Sequence, residues 1–208
     1  MSLFSLPEQG WDLPGWFGKL PGTGDFAQRR LSHRFIQVWD AWLQLNLFEL
    51  RNLHEDWSEK YLQAPVWHFR LGADLINANE WIGVLMPSVD SVGRYFPLTL
   101  AVELFPLNDE LADAQEYIQQ WWSVSAELAL RALEGDQDAA SFDIALSEVF
   151  KLKKPLGVHI PVLDKTPPEG YSLWLANNHC QQDFVQEMCG LPKQAVFNGL
   201  FGSNSVTL

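Results

Sequence analysis

The chain has 208 residues, 47% of them hydrophobic and 19% charged, with a formal net charge of −12. That length and apolar content suit one domain with a sizeable core and exclude a disordered or low-complexity chain. No apolar run reaches the roughly 18 to 20 residues a membrane-spanning helix requires, and a net negative field repels phosphate backbones and anionic headgroups, so integral-membrane and nucleic-acid-binding functions are disfavoured.

Residues 1–15 contain Pro7, Gly10, Pro14 and Gly15 without a clear period and read as a lead-in to a single domain over residues 16–208. The segment has no Lys or Arg, carries Glu8 and Asp12, and lacks the continuous apolar core of a secretory signal, so a cytoplasmic protein is expected. Cys180 and Cys189 are the only cysteines, which fits a reducing compartment.

Trp16-Phe17-Gly18-Lys19-Leu20 is a strand candidate, and Pro21 to Phe26 is a loop whose Gly22 and Gly24 permit unusual backbone angles. From Ser32, a good N-cap, the apolar residues Leu31, Phe35, Val38, Trp39, Trp42 and Leu45 recur at three- and four-residue steps, which predicts a helix with that stripe toward the core. Pro65 to Leu71 alternates, with Trp67, Phe69 and Leu71 inward and His68 and Arg70 outward, as in a half-buried strand. Trp81 to Met86 and Tyr95 to Leu104 are nearly continuous apolar runs, expected as adjacent central strands joined by a long polar loop, Pro87 to Arg94.

A helix is expected from an Asn108 cap to a Gly135 stop, with Leu111, Ile118, Trp122 and Leu128 inward and an acidic outer face. A second fits Ala140 to Leu152, where Lys151, Lys153 and Lys154 suit the negative end of the helix dipole. Pro and Gly then punctuate residues 155–170, Tyr171 to Ala176 reads as a late strand, and short helices are expected at Asp183 to Met188 and Pro192 to Leu200. The fold class is therefore α/β (α+β): a central mixed, largely antiparallel sheet covered by helices.

Glycines at 18, 22 and 24 invite a phosphate-loop reading, but Asp25 stands directly after Gly24, where a phosphate loop needs Lys and then Ser or Thr. Ser88 and Ser91 lack the glycine frame of a hydrolase nucleophile, and Asp90 and Arg94 are expected to pair or to cap backbone groups in their turn. The five histidines show no metal-ligand spacing, and His179, Cys180 and Cys189 are too few and too irregular for a closed zinc site, so no metal or other cofactor is expected. Between Glu103 and Glu148 eleven carboxylates face Arg131 alone, which is either a solvated helical face or a surface for a basic protein. Within it Trp121, beside the core-facing Trp122, reads as an interface anchor rimmed by Asp109, Glu110, Asp113 and Glu116.

Two blocks of this sequence resemble a known family. Trp16-Phe17-Gly18-Lys19-Leu20-Pro21 through Gly24-Asp25-Phe26, with Arg29, Phe35, Trp39-Asp40 and Trp42-Leu43-Gln44, is similar to the N-terminal signature of the TagF family, also called ImpM. Ala64 to Phe69, followed by Gly83 to Thr99 with Ser88, Asp90, Gly93 and Arg94, resembles its longest motif. The resemblance is good over residues 16–105 and loose over 106–208; Ser32 stands where the family often has proline, and Leu175 where a second tryptophan is common. It implies a cytoplasmic accessory protein of the bacterial type VI secretion system, a post-translational negative regulator that is not an enzyme. The implied partner is the pathway's forkhead-associated scaffold protein. The competing reading is a nucleotide- or phosphate-responsive switch, or a hydrolase, built on the Gly22–Asp25 and Ser88–Arg94 loops.

Overall fold

The computed structural model describes residues 12–104, 111–152, 165–177 and 183–201. Its centre is a sheet of seven strands: β1 (Gly15–Gly18), β2 (Ala27–Arg29), β3 (Trp67–Leu71), β4 (Glu80–Met86), β5 (Leu98–Leu104), β6 (Tyr171–Asn177) and β7 (Asp183–Cys189). They lie in the order β2-β1-β5-β4-β3-β6-β7, and every neighbouring pair is antiparallel, so the expected mixture of directions does not occur among the described strands. β4 and β5 are adjacent, as their apolar runs suggested, with Glu80 opposite Leu104 and Met86 opposite Leu98.

Helices cover both faces, and the pleat sorts neighbouring residues between two cores. Phe17, Trp67, Phe69, Leu71, Trp81, Leu85 and Trp174 pack with Phe35, Trp39, Trp42, Leu43, Leu47 and Leu50 of α1 (His33–Leu53), Tyr61 of α2 (Trp57–Gln63), and Phe197 and Phe201 of α5 (Ala195–Phe201). Trp16, Ile82, Val84, Leu98, Leu100, Leu173 and Leu175 face the other way, under α3 (Leu111–Glu134) and α4 (Ala139–Leu152). Strands covered on both faces need no polar side, which is why these runs are continuously apolar.

Ser32 caps α1 as expected, its hydroxyl accepting from the Phe35 N–H at 3.1 Å. Double coverage also explains the main departures from the sequence reading. His68 and Arg70 were expected outward, yet β3 lies inside the sheet with helices on either side, and both are buried. Arg70 is matched by Glu80 across the strand pair at 2.7 Å. Leu45, assigned to the inner stripe of α1, is exposed, because Leu43 and Leu47 take the inward positions of that turn.

Asp183 to Met188 was expected to be helical and instead forms β7, paired along its length with β6. Six residues are too few to nucleate a stable helix alone, and the open edge of β6 supplies a full ladder of partners. The short elements β2 and α2 have too little periodicity to be read from sequence. The Asn108 cap lies outside the described residues.

Candidate functional site: the Lys19 and Asp90 loops

Two loops that are far apart in the sequence, and that carry the family-like motifs, meet at one end of the sheet. β1 ends at Gly18, whose φ of +140° and lack of a side chain are both required, since a Cβ there would lie 2.1 Å from the Pro97 carbonyl oxygen. This close approach to the start of β5 sends Lys19 inward, where it is almost completely buried. Its ammonium bonds the Asp90 carboxylate and lies 4.5 Å from the centre of the Phe26 ring.

Asp90 closes the turn between β4 and β5. Oδ1 accepts from the backbone N–H groups of Val92 at 3.1 Å and Arg94 at 2.8 Å, and Oδ2 accepts from Arg94 Nε at 2.8 Å as well as from Lys19. Gly93, at φ +81°, supplies the left-handed residue of the turn. Burial pushes the Asp90 carboxyl up, but Lys19, the Arg94 backbone and guanidinium, and the Val92 N–H together outweigh it and hold the group well below the usual carboxylate range.

The two loops are also tied through their backbones. Ser88 Oγ donates to the Lys19 carbonyl at 2.7 Å, the Arg94 guanidinium donates to the Gly24 carbonyl, and the Ser91 N–H donates to Thr23 O at 3.4 Å. The Tyr61 hydroxyl of α2 donates to Ser88 O at 3.1 Å and accepts from the Ser88 N–H at 2.9 Å. Gly22 packs so closely on the turn between α3 and α4 that a Cβ would stand 2.2 Å from the Asp136 carbonyl oxygen. Gly24 has room, and Asp25 accepts from the Phe26 N–H at 2.8 Å.

This arrangement positions backbone; it does not present reactive groups. Lys19 is neutralised by Asp90 and buried with it, so it offers no accessible charge to a phosphate. Ser88 is buried and its hydroxyl is held by a carbonyl. His68 packs its ring against Trp122 on the α3 side of the sheet and makes no pair with Ser88. Among the described residues no group of three His, Cys, Asp or Glu side chains gathers as a metal site would need.

The structure thus unites Gly22, Gly24, Asp25, Ser88, Asp90, Gly93 and Arg94, and confirms that Asp90 pairs with Arg94 and caps the turn. It corrects the reading of Trp121 as an exposed anchor. Trp121, on α3 itself, is fully buried in the core beneath that helix and α4, donating Nε1–H to the Asp12 carbonyl at 2.9 Å with its ring edge-on to Phe150. A helix lying across a sheet buries a wide stripe, and neighbouring Trp121 and Trp122 both fall within it. Glu116 is exposed and bonded by Gln120 at 2.8 Å; Asp113 belongs to α3, and Asp109 and Glu110 lie outside the described residues. Sequence reasoning did not single out Lys19 or Tyr61. A lone lysine inside the apolar run Phe17 to Leu20 was the available signal for the first.

Comparison with known proteins adds a family. A family model described as the TagF N-terminal domain, type VI secretion system-associated, matches residues 15–149. A crystal structure of PA0076 from Pseudomonas aeruginosa PAO1 is similar at 30% identity and a TM-score of 0.73, over 94% of this chain and 97% of that one. No curated protein matches by sequence.

Proposed function

Because this chain belongs to the type VI secretion-associated TagF family, we propose that it is a cytoplasmic accessory protein of that system, a post-translational negative regulator acting by binding the pathway's forkhead-associated scaffold protein. The family match over residues 15–149 is the observation that carries this reading. The site geometry supports binding in preference to catalysis. The two motif loops are tied by a Lys19–Asp90–Arg94 network, buried at Lys19 and Asp90 and half-exposed at Arg94, with the Ser88 hydroxyl held by a carbonyl, so they act as a structural knot that fixes the surface around them. No described helix is long and apolar enough to cross a membrane, which fits a partner met in solution.

The test is direct. The purified chain and the purified scaffold protein are expected to co-elute and to give a measurable Kd by calorimetry, and extra copies of the chain in cells are expected to lower secretion. Failure of the two proteins to associate, with secretion unaffected, removes the reading.

A further inference from the structure

We propose that β3 and α3 enclose a binding site for a buried water molecule, held by the imidazole of His68, the indole N–H of Trp122 and the hydroxyl of Ser125. The site lies apart from the motif loops and does not depend on the regulatory reading above.

Trp122 and Ser125 stand one turn apart on α3, so both fall on the stripe that this helix buries. β3 brings His68 to the same layer. Its register partners Val84 and Leu175 belong to the core under α3 and α4, and its ring meets that of Trp122 edge-on at 5.8 Å. All three side chains are closed to bulk solvent. Both ring nitrogens of His68, Nε1 of Trp122 and Oγ of Ser125 are nevertheless without a hydrogen-bond partner, four of the six such enclosed side-chain atoms among the described residues. Folded proteins leave few buried polar atoms unpaired, because each gives up its bonds to bulk water on burial; where several gather on facing elements, an ordered water restores those bonds.

The set of donors and acceptors selects water as the occupant. The Trp122 indole only donates, the Ser125 hydroxyl donates and accepts, and a neutral imidazole offers one donor and one acceptor, a mixture that a molecule with two donors and two acceptor sites can serve. Burial keeps the His68 imidazole neutral near pH 7, with the Leu175 backbone as the opposing influence. A metal ion would find lone pairs only on His68 and Ser125, too few to hold it. An anion would find no uncommitted charge on this face of β3, because Arg70, two residues along the strand, is already paired with Glu80 at 2.7 Å. Bridging the strand and the helix, the water supplies directional bonds within an apolar layer and so fixes the rotation of α3 over the sheet.

The experiment uses the full chain near pH 7. A crystal structure at about 1.5 Å resolution is expected to show a water oxygen within about 3.2 Å of Trp122 Nε1 and of a His68 ring nitrogen or Ser125 Oγ. In solution, the Trp122 indole proton, assigned by its loss in Trp122→Phe, is expected to give a dipolar cross-peak to water in rotating-frame NMR. The cross-peak is expected to persist in Ser125→Ala, which removes a hydroxyl able to relay it. A layer without water density and without the cross-peak overturns the site. So does a side chain bonded directly to Trp122 Nε1, or the indole N–H aimed at the face of the His68 ring, in the water's place. Density for a metal ion or an anion between these groups overturns the proposal as well, and where the two readouts differ the crystal density decides.

Discussion

Lys19 and Asp90 form an ion pair closed to solvent on both sides, with side-chain exposures of 3% and 0%, across 71 positions of sequence. Such a pair is stable only where further hydrogen bonds offset the loss of water, and Asp90 has them from Arg94 and from two backbone N–H groups. The pair therefore holds two loops in register more than it adds stability of its own.

Removing the carboxylate should be worse than removing the ammonium, because Asp90 serves four donors and Lys19 one carboxylate. Asp90→Ala is expected to cost about 3–5 kcal/mol, the usual range for breaking a buried pair from one side, and Lys19→Met clearly less. Urea denaturation of the two variants and of the double variant checks the order; equal losses would contradict it.

Acid should unfold the protein in two stages. Burial lowers the His68 imidazole from 6.5 to about 4, and the backbone of Leu175 opposes this without completing a hydrogen bond to either ring nitrogen. Between those values the unfolded chain binds a proton that the folded one refuses, so stability falls as pH drops from 6.5 toward 4, by up to about 3 kcal/mol. Asp90 acts lower down. Its folded value is depressed, so its contribution is complete above the unfolded carboxyl value of about 3.9 and is lost as pH falls from there through the folded value. His68→Leu is expected to abolish the first stage and leave the second. Melting temperatures between pH 7 and pH 3 read both, and an unchanged slope above pH 4 in His68→Leu would remove this account of the first.

Gly22 and Gly24 should separate cleanly although they stand in one motif. A methyl at 22 collides with the backbone of Asp136, whereas at 24 the nearest atom is Ser91 Oγ at 3.5 Å, an ordinary contact. Gly22→Ala is expected to lose about 1–3 kcal/mol, the cost of forcing a closely packed contact apart, and Gly24→Ala to stay within about 0.5 kcal/mol of wild type. Thermal denaturation of the two variants decides.

Trp121→Ala should behave as a core truncation, losing about 3–5 kcal/mol along with the bond to Asp12. Any loss of partner binding in this variant should track its unfolded fraction and vanish when stability is restored by lower temperature. Reduced affinity in a fully folded sample, measured by calorimetry beside circular dichroism, would return Trp121 to the interface.

Much of the fold was legible locally. Continuous apolar runs gave β4 and β5 as neighbouring strands, three- and four-residue spacing with a serine cap gave α1, and the turn chemistry of Asp90, Gly93 and Arg94 gave a capped loop. These features depend on residues close in sequence, whose hydrogen bonds and periodicity are set by the chain itself. The same locality left the fate of each exposed or buried side chain open. An alternating strand reads as half-buried until a second layer of helices covers it, as happened to His68 and Arg70. A six-residue segment reads as a helix until an open sheet edge offers a ladder, as β6 offered to β7. Composition and spacing made the chain apolar-cored and acidic and brought its motifs to notice. Only the tertiary structure decided that Lys19 belongs to Asp90, that Trp121 is core, and that the bare apolar surface lies along Leu45 and Phe48, because burial follows from which elements stack on which.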